Sequence, residues 1–283
     1  MGSLLARLFF GLLFAVFGLL NYWGNTAENP VTGETQRISL TPEQEIVLGQ
    51  RGQQEVLAQM GGLHPSRELQ AYIDQIGEQV VQQSEAAQSP YPFEFHVIDD
   101  PQTINAFALP GGQIFITTGL LEAMDSEAQL AGVLGHEIGH VVARHGAENL
   151  ARQQLGSILV NAIGVATSSE DGGGQQAAVL AQAVNQMINL NYSREDELES
   201  DRLGLAFMVD ADYSPEGIVE LMAIFESAES AGRPPEFLST HPNPGNRIAR
   251  LEEIIQAIYP NGVPEPLIEG EREYSLTVDP ELS

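Results

Sequence analysis

The run LAGVLGHEIGHVVARHG, Leu130–Gly146, places two histidines four residues apart around a glutamate in an otherwise apolar, glycine-dotted stretch. On a helix, residues i and i+4 share a face and lie about 6 Å apart along the axis, so His136 and His140 can aim their imidazoles at one point. Glu137 stands one step round, close enough to reach a water held at that point without displacing either ring. This is the arrangement in which a zinc ion lowers the pKa of a water and a glutamate takes its proton. The competing reading is an ordinary buried helix that carries histidines. Ile138, Val141 and Val142 surround the polar groups with apolar ones; buried polar groups without partners are costly, and a metal would supply them.

A catalytic zinc site takes three protein ligands and leaves one position open. The chain has no cysteine, so the third ligand must be another histidine or a carboxylate. YSREDELESDRLG, Tyr192–Gly204, offers Glu197 and Asp201 four apart on one helical face, with Leu198, Leu203 and Leu205 available for packing. Glu197 would bind the metal, and Asp201 would accept the distal N–H of a zinc-binding histidine and fix its tautomer. Taken alone, such an acidic helix reads as a solvated face; the HEIGH run upstream reverses that.

The 283 residues, 43 % of them hydrophobic, suffice for one substantial core with short appendages. Against 39 acidic residues stand 12 basic ones, all arginine, for a net charge of −27. No nucleic-acid partner is expected, since that surface needs a basic stripe. The amino-terminal apolar run, Leu8–Leu20, follows Arg7 and precedes Tyr22 and Trp23; Leu4–Trp23 approaches the roughly 20 residues of a membrane crossing. Arg7 before it and Glu28 and Glu34 after it send the remaining chain outward. The expected organisation is residues 1–24 a signal anchor or signal peptide, 25–40 a linker, 41–263 the catalytic domain and 264–283 a tail.

Within 41–263, Thr41-Pro42-Glu43 opens a helix that runs to Gly61-Gly62, and a second covers Ser66–Gln83. Phe93–Asp99 alternates as a strand, and Asn105–Gly119 reads as two strands joined across Pro110-Gly111-Gly112. Helical patterns follow over Ser126–Ala166, Gln175–Asn189, Arg194–Asp210, Pro215–Ala231 and Asn246–Ile258, with a flexible break at Thr167–Gln175. The fold class is therefore α+β, mainly α. His145, five positions after His140, leaves the metal-facing stripe of an unbroken helix and reads as structural.

HEIGH, then Glu197-Leu198-Glu199-Ser200-Asp201 after Tyr192-Ser193-Arg194, then Ser239-Thr240-His241-Pro242 and Arg247, together closely resemble the CAAX-prenyl-protease/HtpX-type zinc metallopeptidases, in particular the soluble-domain branch of Oma-type and BepA-type proteases. The likeness covers about Thr41–Tyr259. It implies a gluzincin-like zinc metalloprotease core with a small β-sheet beside the active-site helix. It implies one Zn2+ per chain on His136, His140 and Glu197, with Glu137 as general base and acid and Asp201 orienting a ligand. His241 would occupy the open position in a latent state or stabilise the oxyanion, and Arg247 would support the loop or the transition state. Asn105, Ala106 and Phe107 would lie along a sheet edge that pairs with extended substrate; the alternative for them is an ordinary hairpin.

The implied activity is zinc endopeptidase action on unfolded or misassembled proteins in envelope quality control. Its implied place is the periplasmic face of the inner membrane, or the periplasm if the signal is cleaved. The rival is a latent or non-catalytic, zinc-containing, chaperone-like binding module, against which the intact Glu137 speaks. Recruitment of partners through the long carboxy-terminal helical repeats of BepA-like members is not expected of these residues. An acidic, lysine-free surface suits a salt-rich setting; denaturation midpoints measured from low to high salt are expected to rise.

Overall fold

The computed structural model describes residues 2–153, 155, 191–230, 232, 235–242, 246–264 and 267–282. The helix expected over Gln175–Asn189 and the break at Thr167–Gln175 lie outside them. The chain opens with helix α1 (Gly2–Gly24) and an antiparallel ribbon, β1 (Thr26–Glu28) with β2 (Thr35–Arg37). Helices α2 (Pro42–Gln59) and α3 (Arg67–Gln82) follow, then β3 (Glu94–Ile98), β4 (Ala106–Leu109) and β5 (Gln113–Thr117). After α4 (Thr118–Ala123) come α5 (Glu127–Val142), α6 (Arg194–Asp210), α7 (Glu216–Ser230), the single turn α8 (Phe237–Thr240) and α9 (Arg247–Ile258). The tail forms α10 (Glu271–Thr277) and α11 (Asp279–Leu282). The architecture is mainly helical with small sheets, as expected.

Local chemistry sets the helix starts. Thr41 and Gln44 form a reciprocal capping box ahead of α2, with Pro42 in its first turn. Ser126 caps α5 by accepting from the Gln129 N–H, and Ser193 with Asp196 makes a second capping box at α6. In the three-stranded sheet, β5 is central, parallel to β3 and antiparallel to β4. The hairpin turn needs its glycines twice over. Gly111 and Gly112 have φ of 87° and 102°, and a Cβ at Gly111 would lie 2.5 Å from the Glu45 carbonyl oxygen.

Helix α5 is buried all round, every residue from Ala128 to Val142 being inaccessible. It packs on α6, α7, α3 and β4. Its glycines make this possible. A Cβ at Gly135 would lie 2.9 Å from the Gly204 carbonyl oxygen, one at Gly139 would lie 2.8 Å from Ser200 Oγ, and one at Gly132 3.1 Å from Ile218. From the other side, a Cβ at Gly204 would sit 2.7 Å from the His136 backbone nitrogen. Glycine costs a helix about 1 kcal/mol against alanine; here that cost is offset by backbone-to-backbone packing that a side chain would forbid.

Three expectations are corrected. The helix expected from Ser126 to Ala166 stops at Val142; Ala143 and Arg144 turn, Arg144 with a left-handed φ of 58°, and a separate helical stretch covers 145–153. That turn is held by Arg144, whose guanidinium pairs with buried Glu45 and donates to the Leu40 carbonyl. Residues 25–40 do not run free as a linker: Asn29 donates to the Val142 carbonyl at 2.7 Å and Gln36 donates to that of Ala143, so the ribbon satisfies the end of α5. The tail is docked as well, with Tyr274 buried and donating to the Leu121 carbonyl at 2.7 Å, and the Ala128 N–H bonded to the Glu269 carbonyl.

Among the described residues, no helix is long and apolar enough to cross a membrane. Helix α1 nevertheless exposes Phe9, Phe10, Leu12, Leu13, Phe17, Leu20 and Trp23.

Overpacking a close helix contact costs about 1–3 kcal/mol. Gly204→Ala is expected to lose that much in chemical denaturation. Gly24→Ala, whose Cβ would meet nothing within 4 Å, should stay within about 0.5 kcal/mol of the parent.

Candidate metal centre

Helix α5 delivers His136, Glu137 and His140; α6 delivers Glu197 and Asp201; the end of α8 delivers His241; and the first residue of α9 is Arg247. All seven are buried. His136 Nε2 lies 3.1 Å from His140 Nε2 and 3.3 Å from His241 Nδ1. Glu197 Oε1 lies 3.0 Å from His241 Nδ1 and 3.4 Å from His140 Nε2, and Glu197 Oε2 lies 3.6 Å from His136 Nε2. One donor atom from each of these four residues falls within 4.8 Å of the others.

The outer hydrogen bonds explain why those atoms point inward. His136 Nδ1 is 2.9 Å from Asp201 Oδ1. A carboxylate can only accept, so Nδ1 carries the proton and the Nε2 lone pair faces the cluster. Arg247 grips Asp201 with two bonds, Nε at 2.7 Å and Nη2 at 2.6 Å, and its Nη1 lies 2.9 Å from Glu197 Oε2. The ring of His241 is stacked on Phe237, centroids 4.2 Å apart, and that of His140 on Tyr192 at 3.9 Å.

Charge in this buried pocket is unbalanced. Glu137, Glu197 and Asp201 are three buried carboxylates facing one guanidinium, Arg247. Burial would raise the Glu197 carboxyl, but His241, His140 and Arg247 outweigh it and hold it well below the usual range. Burial likewise opposes ionisation of Asp201, and Arg247 with the His136 bond overcomes it. Glu137 differs: burial pushes its carboxyl up, and His241 and His136 only partly counter that. Among the described residues, neither of its oxygens has a hydrogen-bond partner. Burial keeps His140 neutral, well below its usual value. For His241, burial favours the neutral ring, but Glu197 and Glu137 prevail and raise it. A divalent cation among the inward lone pairs would offset the excess of carboxylates over guanidinium and give the facing donors a common partner, so the residues fit a metal ion.

The sequence that builds this geometry matches a protein family. The sequence pattern described as Peptidase family M48 matches residues 67–255. The chain belongs to peptidase family M48. As a member it is a metallopeptidase, and its relatives are named accordingly. It is 33 % identical over 250 residues to the mitochondrial metalloendopeptidase OMA1 of Schizosaccharomyces pombe, covering 86 % of this chain and 70 % of that protein. With the mitochondrial metalloendopeptidase OMA1 of Homo sapiens it shares 30 % identity, over 87 % of this chain and 48 % of the relative. With the Beta-barrel assembly-enhancing protease of Escherichia coli it shares 32 %, over 64 % of this chain and 38 % of the relative. The chain thus spans about half or less of the human and bacterial proteins' length.

The M48 chain brings together seven of the residues anticipated from the sequence, His136, Glu137, His140, Glu197, Asp201, His241 and Arg247, the last clamping Glu197 and Asp201. The anticipated edge residues lie at a strand packed against α5. Ala106 and Phe107 lie in β4, an edge strand, and Asn105 just before it; all three are buried, with Asn105 Oδ1 unpartnered. Two further residues adjoin His140: Tyr192, stacked on its ring, and His145, read from the sequence as structural, whose Nδ1 lies 2.9 Å from His140 Nδ1. An i+5 histidine leaves the stripe of a continuous helix, but the turn at Ala143-Arg144 swings it back.

Removing one partner of a buried charge pair costs about 3–5 kcal/mol, so Arg247→Met should destabilise chelator-treated protein by about that much. A depressed carboxyl stabilises the fold above its unfolded value, about 4, and that stability is lost as pH falls through the lower folded value. Without Arg247 the folded values of Asp201 and Glu197 rise, so acid-unfolding titrations should show the loss beginning at higher pH.

Proposed function

We propose that this chain is a zinc-dependent endopeptidase of protein quality control, with residues 41–263 as its catalytic unit and His136, His140 and Glu197 as its zinc ligands. The observation that carries the reading is the convergence of those inward-facing lone pairs beside Glu137, a buried carboxylate with both oxygens unpartnered. Imidazole and carboxylate donors without thiolate suit zinc in a hydrolytic site.

When bound, the ion would supply Lewis acidity, polarising the scissile carbonyl and making a water acidic enough to attack at neutral pH. Glu137, whose carboxyl is pushed up by burial, takes the proton of the attacking water and passes it to the leaving amine. His241 Nε2, without a hydrogen-bond partner and 3.6 Å from Glu137 Oε1, is the donor available to the developing oxyanion. Asp201 and Arg247 keep His136 and Glu197 aimed. An extended substrate would add along β4 at Asn105, Ala106 and Phe107 once that buried edge is uncovered.

A shut resting form is the second reading, and one feature favours it. His241 Nδ1 stands among the donor atoms with Glu197 and His136, where an open fourth position would otherwise be.

The proposed setting is unfolded or misassembled protein substrates, which the protease names of the relatives support as proteins, and attachment to the periplasmic face of a membrane through residues 1–24, for which the exposed apolar side chains of α1 speak. A helix with exposed aromatic and leucine side chains gains by burying them in lipid.

Casein digestion by the full chain tests the mechanism. Glu137→Gln should keep zinc and lose at least about 100-fold in rate; equal cutting by parent and variant would overturn the assignment. A chelator should abolish cutting and zinc restore it. If the parent is silent, the shut form predicts that His241→Ala gains activity; if the parent cuts, the oxyanion role predicts that it loses it.

A further inference from the structure

His140 has an outer neighbour that matches Asp201 in position but not in chemistry. His145 Nδ1 lies 2.9 Å from His140 Nδ1, and on the far side of the same ring His145 Nε2 lies 3.2 Å from Glu199 Oε2, with Asp196 Oδ1 at 4.0 Å. His145 is buried, whereas the Glu199 side chain is 20 % exposed. Two ring nitrogens in contact can share only one proton, so the carboxylate decides the arrangement. Glu199 accepts from His145 Nε2–H; His145 Nδ1 is then the bare nitrogen and accepts from His140 Nδ1–H; His140 Nε2 is left with its lone pair facing the candidate centre.

We propose that His145 is a positioning residue for the metal centre, relaying the orientation set by Glu199 to His140 as Asp201 does directly to His136. The two inward imidazoles then have matched supports, one carboxylate in direct contact and one acting through an intervening ring. The stack of Tyr192 on His140 fixes the plane of the ring, and the hydrogen bond from His140 to His145 fixes which nitrogen faces in. Glu199, like Glu197 and Asp201, comes from α6, so a single helix supplies one ligand and the outer supports of two others. The inference rests on the reading of His136, His140 and Glu197 as ligands.

Zinc affinity of the full chain, measured by competition with a chromophoric chelator, and the visible spectrum of its cobalt(II) form test it together. Asparagine can place an acceptor oxygen where His145 carries Nδ1; leucine cannot. Loss of an outer partner of a metal-binding histidine weakens binding about 10–100-fold. His145→Leu is expected to fall in that range with a changed cobalt spectrum, Glu199→Leu to fall in the same direction, and His145→Asn to restore affinity and spectrum. A purely structural histidine predicts instead that His145→Leu lowers the melting of metal-free and metal-loaded protein alike; here the loss should be confined to the loaded form. Parental affinity in His145→Leu, or His145→Asn as impaired as leucine, would overturn the proposal. If His145→Leu does not fold, Glu199→Leu, altered at the partly exposed end of the relay, decides it: unchanged affinity and spectrum overturn it. A parent chain that binds no zinc would remove the ligand reading itself, an outcome distinct from all of these.

Discussion

Helices α5 and α6 meet through glycine. Gly135 and Gly139 on one and Ser200 and Gly204 on the other are each four apart, so each helix presents one small stripe, and the two stripes leave room for backbone but not for a Cβ. Ser200 uses the proximity by donating to the His136 carbonyl at 2.5 Å. Everything in the centre depends on this approach. The residues that flank the small stripes, His136 and His140 on one helix and Glu197 and Asp201 on the other, are brought into contact because the axes are so close. A bulkier seam would widen the gap between a histidine and the carboxylate that orients it, and an imidazole loses its partner within a few tenths of an ångström.

The same closeness creates an electrostatic problem that the rest of the site addresses. Three carboxylates buried in one pocket repel one another and resist burial. Arg247 enters from the start of α9 to hold two of them, Asp201 by a two-bond grip and Glu197 by one contact. The third, Glu137, is left unpartnered with its carboxyl raised. Buried structural groups are ordinarily satisfied, so an acid left without a partner among the described residues, beside inward-facing lone pairs, sets Glu137 apart from the two carboxylates that Arg247 holds.

Most of the centre was readable because its residues obey helical spacing. His136 and His140, and Glu197 and Asp201, are i,i+4 pairs, and capping residues Ser126 and Ser193 mark where each helix begins. Missed features share one cause: contacts between distant segments overrode the local pattern. Nothing near Arg144 announces a left-handed turn, which is held by Glu45, 99 residues earlier in the chain. That turn ends α5 and returns His145 to His140. The Asn29–Gln36 ribbon looked like a linker because its polar side chains have no periodicity; their partners are the carbonyls at the end of α5. The tail, rich in proline and glutamate, docks through Tyr274 and Val278, two apolar residues too sparse to show a pattern.

By itself the sequence determined the chemistry available: no thiolate, two histidines and a glutamate in one helical turn, two carboxylates in another, and therefore a donor set of the kind that suits hard or borderline cations. Those facts are local, since spacing along a helix is set by hydrogen bonds that do not depend on the rest of the chain. Only the tertiary structure decided how near the two turns come, which ring nitrogen faces inward, and that His241 rather than open space stands beside Glu197. These depend on packing between segments far apart in the chain, where a single missing Cβ sets the distance and a remote carboxylate sets the proton.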